Sequence, residues 1–318
     1  MPTRNEALLD ASLIHAVRML RVRNGISRDV LLHLNNVILP PVHSTATALI
    51  SRLVISGYSG PEITRALQAL REASQDGYQD LYDLLRDALV PVAIAEAAWI
   101  RGQFPGMTTA KGLNAVVTSL PFEGRTLRQW TNTLQQTLLQ DVRDQFVIGL
   151  RQGDSSTALE RRLVGLSRDR GRGGVYGKQR RTARSVANTA FIHVTSGARE
   201  AFLEENVESF QGVMWLAQLD HATCPECGLL DGQIWAVGEG PRPPAHHQCR
   251  CWTTPVLRGI ALPDSPTFVD WLRGQAVVVQ DEVLGVKKAQ LWRQGKLQFR
   301  DFVDSDGAIL RLDQVAEL

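Results

Sequence analysis

The chain is 318 residues long, 44% hydrophobic and 21% charged, with 35 Lys and Arg against 33 Asp and Glu. That is enough apolar material for one large or two ordinary domains, and a net charge of +2 excludes a surface that binds nucleic acid or membrane all over, so any charged site is local. No apolar run reaches the roughly 18 residues of a membrane span, and the first ten residues carry Arg4, Glu6 and Asp10 in place of an apolar signal core, which speaks for synthesis in a reducing cytoplasm.

From residue 5 to 107 the apolar residues recur at helical spacing, as in Leu8, Leu9, Leu13, Ile14, Val17 and Leu20, and predict a helical bundle. Asn24-Gly25 is expected to end a first helix, Ser27 with Asp29 to start a second, and Pro40-Pro41 to end that one. Ser59-Gly60-Pro61-Glu62 repeats the pattern of cap, proline and acid at a helix start, and Pro105-Gly106 breaks the series. Thr126 then caps a helix through Trp130, Leu134, Leu138, Val142 and Phe146.

Residues 161–184 hold nine cations and one acid, Asp169, around a glycine-rich core from Arg170 to Gly177. This is either a flexible arm that follows phosphates, with Arg170, Arg172, Lys178, Arg180 and Arg181 as the candidate nucleic-acid contacts, or a solvated loop. A nucleotide-binding loop is excluded, because Arg172 and Gln179 stand where that motif needs Gly and Ser or Thr. Helical spacing returns through Val186, Ala190, Val194 and Ala198.

Beyond Val207 the period shortens. Runs at 213–219, 233–237 and 251–256, rich in aromatic and β-branched residues, predict a small β meander, followed by a helix with Phe268, Trp271 and Leu272 on one face and a hairpin around Asp304-Ser305-Asp306-Gly307. All four cysteines of the chain fall in this region. Cys224 and Cys227 share one tight turn, and Cys249 and Cys251 share one face of an expected strand, so each pair can chelate. With His246 and His247 beside them, six candidates compete for the four places of a tetrahedral Zn2+ site. A structural zinc closing the β module, metal-free cysteines packed as small apolar groups, a disulfide and a catalytic zinc all remain open. Asp220-His221 resembles the pair of a zinc-framed nuclease of the HNH type but precedes the first knuckle, where that fold places it between the two.

Several pieces occur in one order: Trp215-Leu216-Ala217-Gln218-Leu219-Asp220, Thr223-Cys224-Pro225-Glu226-Cys227, Leu230-Asp231-Gly232, and Pro243-Pro244-Ala245-His246-His247-Gln248-Cys249-Arg250-Cys251. Together they resemble the phage Mu F-like head morphogenesis family of minor capsid proteins. Ala198-Arg199-Glu200-Ala201-Phe202 is similar to the helix that precedes the motif in that family, and an Arg-Thr-Glu triplet of some members reads Asn188-Thr189-Ala190 here. The resemblance gives His246 the family histidine and places His247 where proline is usual, so the implied metal set is drawn from Cys224, Cys227, His246, Cys249 and Cys251.

The fold expected is α+β: a predominantly α-helical body with a small C-terminal β meander closed by the Cys/His cluster. Three segments are expected, 1–107 (N-terminal helices), 108–179 (central helices and the basic stretch) and 180–318 (Mu F-like domain). The resemblance implies a non-enzymatic minor head protein inside the virion, with the portal protein as partner. The major capsid or scaffolding protein and weakly held packaged DNA are further expected partners. A zinc-dependent nuclease or toxin-like enzyme carrying this domain is the alternative. The N-terminal half, whose residues 5–107 carry long apolar stripes but only one Trp and one Phe, Trp99 and Phe104, is expected to make the portal contact.

Overall fold

The computed structural model describes residues 2–56, 60–304, 310 and 314, so the Ser59 cap and the turn of the expected C-terminal hairpin lie outside the described residues. Helix α1 (Arg4–His33) runs through Asn24-Gly25 without stopping. A buried row at Ala16, Met19, Arg23, Ile26, Val30 and Leu34 continues across the glycine. The packing of that row outweighs the roughly 1 kcal/mol that Gly costs a helix interior. A π-helical turn (Leu34–Ile38) leads directly into α2 (Leu39–Ser56), so Pro40-Pro41 open a helix where the sequence suggested an end. Proline cannot donate to the carbonyl four residues back and its ring crowds that carbonyl; the wider π turn just before it makes the room.

Helix α3 (Gly60–Gln103), α4 (Leu113–Thr118), α5 (Leu127–Arg151), α6 (Ser156–Val164) and α7 (Gly174–Glu204) complete the helical body. Thr126 caps α5 as expected, in a capping box with Gln129. The small sheet comprises β1 (Phe210–Leu216), β2 (Ile234–Trp235) and β3 (Trp252–Leu257), with the short α8 (Pro225–Leu230) between β1 and β2. It is antiparallel throughout, but its order is β2-β1-β3, so β1 is central and the third strand pairs with the first, unlike a simple meander. β3 is an edge strand, which is why it can carry Pro255. Helices α9 (Phe268–Arg273), α10 (Val277–Leu284) and α11 (Val286–Arg293) follow.

The chain forms two compact units that interleave along the sequence. The first consists of Met1–Leu20, Glu96–Lys111 and Thr195–Leu318, the second of Arg21–Ala95 and Gly112–Val194. They differ from the three consecutive segments read from the sequence because α1, α3 and α7 each run past a unit boundary. In the first unit the sheet is covered on both faces. On one side Asn5 of α1 accepts from the Leu257 amide (2.9 Å) and donates to the Ile260 and Ala261 carbonyls, and Ser12 donates to Thr254 Oγ1 (2.9 Å). On the other side Trp215 joins a core of Cys227, Cys249, Cys251, Phe268, Leu272, Trp292, Phe299 and Phe302. The second unit packs Leu70, Leu81, Leu85 and Leu89 of α3 with Leu134, Leu138, Val142 and Phe146 of α5 among its buried residues. No helix among the described residues is long and apolar enough to cross a membrane.

Candidate metal centre

Cys224 is the N-cap of α8: its Sγ accepts from the Cys227 amide at 3.4 Å, and Pro225 opens the helix where no N–H is needed. The next residue in the turn, Gly228, lies under the Phe268 ring, where an added Cβ would sit 2.4 Å from a ring carbon. The second knuckle approaches from the other side. Gln248 adopts left-handed backbone (φ 62°), and the Cys249 amide donates to the His246 carbonyl at 3.1 Å, closing a tight turn. Cys249 and Cys251 therefore precede β3 in irregular chain, a correction to the strand expected there, yet both sulfurs still join Cys227. Arg250, pointing elsewhere, donates from both Nη atoms to both Asp220 oxygens at 2.6 Å. That bidentate clasp ties the two knuckles together outside the sulfur cluster. Against the penalty of its burial, the bond from Arg250 holds the Asp220 carboxyl below the usual range.

Two groups of potential ligands share Cys227: Cys224, Cys227 and His246, and Cys227, Cys249 and Cys251, with the ligand atoms in each group within 4.8 Å of one another. His246 Nε2 lies 3.2 Å from both Cys224 Sγ and Cys227 Sγ, and Cys227 Sγ lies 3.9 Å from Cys249 Sγ. Tetrahedral zinc requires about 3.8 Å between sulfurs and about 3.6 Å between sulfur and nitrogen, from Zn–S of about 2.3 Å and Zn–N of about 2.0 Å. The Cys227–Cys249 spacing and the soft donor set suit such an ion, with the ligand atoms gathered in two groups joined at Cys227. His246 Nδ1 is 2.8 Å from the His247 carbonyl, which orients the ring and leaves Nε2 to the sulfurs. All four cysteines are free thiols, so no disulfide forms among them.

Titration within the cluster is divided. The hydrogen bond from Cys227, helped by His246, pulls the Cys224 thiol down to about 4, and hydrogen bonds from Cys227 and Cys251 pull Cys249 down to about 2. Cys227 is pushed up by its bonds to Cys224, Cys249 and Cys251 and by burial. Cys251, against the opposing bond with Cys227, is pushed up by its bond to Cys249 and by burial. The bond to Cys224 raises His246 to about 9, against burial. Four clustered sulfurs, three of them buried, thus keep some of their protons to limit their own repulsion; a divalent cation would take over that task and release them.

The basic stretch is not a flexible arm. Arg161 and Arg162 lie on α6, and Lys178, Arg180, Arg181 and Arg184 on α7. Lys178 pairs with Asp141 at 2.7 Å, Arg180 donates to Asn35 Oδ1 (2.6 Å) and the Gly171 carbonyl (3.0 Å), and Arg181 donates to the Arg172 carbonyl. Of the five candidate contacts only Arg170 and Arg172 lie on the exposed turn before α7. The glycines serve close approach: a Cβ on Gly177 would lie 2.2 Å from the Arg172 carbonyl oxygen, and one on Gly165 2.6 Å from Gly173.

Three arrangements escaped the sequence reading. Asp231, in Leu230-Asp231-Gly232, accepts from the Ala217 and Phe268 amides at 2.7 Å each and so joins the end of β1 to the start of α9; burial raises it to about 6 against those bonds. Glu200 receives Arg242 (2.9 Å) and the Gly238 amide (2.7 Å), holding the connection that leads to His246. Arg199 is 2% exposed and pairs with Glu96, which is 0% exposed; Glu96 also meets His15 Nε2 at 2.7 Å. Arg199 further donates to the Thr253 carbonyl and lies 4.6 Å from the Trp252 ring centroid, while His15 stacks on Trp99 at 3.9 Å. The signal for all three was the charged residue inside an otherwise apolar motif, but its partner lies far away in sequence. His221 is exposed and His193 meets the Leu120 carbonyl at 3.2 Å.

No curated protein and no solved structure matches the chain significantly. The family model described as Phage Mu protein F like protein matches residues 140–254. Those residues contain both cysteine knuckles, His246, Asp220 with Arg250, and the Arg199 and Glu200 anchors. The match runs from the second half of α5 into β3, and over these residues the chain carries a Phage Mu protein F like domain.

Proposed function

We propose that the chain is a minor head protein of a tailed phage, built into the assembling head next to the portal protein and without enzymatic activity. The observation that supports this reading is the family match over residues 140–254, which covers the residues of the candidate metal cluster. Zn2+ held by the four cysteines, with His246 as the competing fifth donor, fixes the module. Two facts favour a structural role over a nuclease. The donors are thiolate-rich, four cysteines and His246 in two groups joined at Cys227, the kind of set that structural zinc uses, and Asp220 is occupied by Arg250.

For the portal contact, α1 offers an apolar row at Leu13, Ile14 and Val17, 40%, 55% and 51% exposed. Such a strip suits a partner helix. Packaged DNA, and the major capsid or scaffolding protein, are contacts of lower rank in this reading. The test is mass spectrometry of purified particles with cross-linking: the chain should be present in few copies and linked to portal protein through α1. Its absence from the particle, or DNA cleavage by purified protein with Mg2+ or Zn2+, would overturn the proposal.

A further inference from the structure

The region 287–300 carries Lys287, Lys288, Arg293, Lys296 and Arg300 and no acid. It forms one wall of a cleft of about 710 Å³, whose rim holds Arg273, Arg293 and Arg300 and whose floor is Trp292 and Phe299. Both floor residues belong to the apolar core that contains Cys227, Cys249 and Cys251.

The rim is built, not merely charged. Arg273 and Arg293 end α9 and α11, where helix carbonyls would repel an anion. Gln280, 5% exposed, removes much of that repulsion: its Nε2 donates to the Leu272 carbonyl at 3.1 Å, the Arg273 carbonyl at 3.4 Å and the Gln275 carbonyl at 3.1 Å. Its Oε1 accepts from Arg293 Nη1 at 3.2 Å, and Asp281 meets the same nitrogen at 2.9 Å, so this guanidinium is held in place. Asp281 cancels one charge; Arg273 has an acid only at 3.9 Å, Asp270, and Arg300 stands exposed.

We propose that this cleft binds the sugar–phosphate backbone of single-stranded nucleic acid. Guanidinium groups pair with phosphate oxygens through two parallel N–H bonds. A concave cationic groove suits a flexible single strand, which can bend into it, better than a stiff duplex. The cleft is separate from residues 161–184, where the sequence placed nucleic-acid contact, and its floor belongs to the core that holds the cysteine cluster.

The test is fluorescence anisotropy of labelled dT12 with the full chain across a salt series. Arg273→Gln/Arg293→Gln/Arg300→Gln should weaken binding at least tenfold and lower the salt slope by about 2, at about 0.7 for each phosphate contact on a single strand. Arg300→Gln alone, which breaks no hydrogen bond of the described structure, should weaken it about threefold and guards against a folding defect in the triple variant. Arg65→Gln/Arg71→Gln/Arg143→Gln, around a second basic cleft between α3 and α5, should leave affinity unchanged. Equal binding by wild type and the Arg273/Arg293/Arg300 variant, or loss in the α3/α5 variant instead, overturns the proposal. So does an oligo-glutamate of equal charge that competes as well as unlabelled dT12, since the cleft would then recognise an acidic peptide.

Discussion

Replacing Arg199 by Met tests whether the buried ion network holds the first unit together. Arg199 is 2% exposed and Glu96 0% exposed, so the variant leaves a carboxylate in the interior with His15 as its remaining polar contact. Breaking a buried pair from one side costs about 3–5 kcal/mol, and the Thr253 carbonyl, which loses its bond from Arg199, adds to the same loss. The terms overlap, and about 4 kcal/mol is expected, a large part of the roughly 5–15 kcal/mol that stabilises a domain. Urea unfolding followed by Trp fluorescence is the assay, because six of the seven Trp residues lie in the first unit. Arg199→Met/Glu96→Gln should recover about half of the loss. The pH response supplies a second readout. Although burial alone would raise it, Arg199 and His15 hold the Glu96 carboxyl below its ordinary value. A depressed folded pKa gives stability that is present above the unfolded value, near 4.3, and is lost as pH falls through the folded one. Arg199→Met should abolish that acid-side loss. A single-variant cost under about 1 kcal/mol, or strict additivity of the two substitutions, would refute the reasoning.

Protein prepared without chelator should contain one zinc per chain, and Cys227→Ser, which removes the ligand common to both groups, should abolish it and expose the remaining thiols to alkylation; metal analysis and mass spectrometry check this. Asp231, raised to about 6 by burial, gives stability that is present below its unfolded value, near 3.9, and lost as pH rises through 6, about 3 kcal/mol in all. Asp231→Asn should flatten the unfolding free energy between pH 4 and 6 in urea titrations. Gly177→Ala should cost about 1–3 kcal/mol, because the new methyl meets the Arg172 carbonyl, and would show as a lower midpoint in helix melting by circular dichroism.

Much of the candidate metal site was legible because its parts are local: each cysteine pair is close in sequence, and the Thr126 cap and the helical periods follow from neighbours a few residues apart. The errors came where distant contacts outweighed local signals. Gly25 and Pro40 read as stops, but a continuous buried row and a π turn carried the helix through both. The glycines at 171–177 read as flexible, whereas Gly174 and Gly177 admit backbone at distances no side chain allows. Arg199, Glu96 and His15 could not be joined from sequence at all, since 81 residues separate His15 from Glu96 and 103 separate Glu96 from Arg199.

The bonds between Asn5 and Leu257 span 252 residues. On the ribosome, α1 is made first and waits for β3 until most of the chain has emerged, so the first unit cannot close while synthesis is under way. The leading apolar strip stays uncovered during that interval and is exposed to chaperones or premature partners. Cutting the chain near residue 107 or 180 would divide both units, and fragments of that kind would report on unfolded protein. A circular permutant that joins the first twenty residues to a point after β3 would bring these partners together early, and its faster refolding would show how much of the folding time this long closure takes.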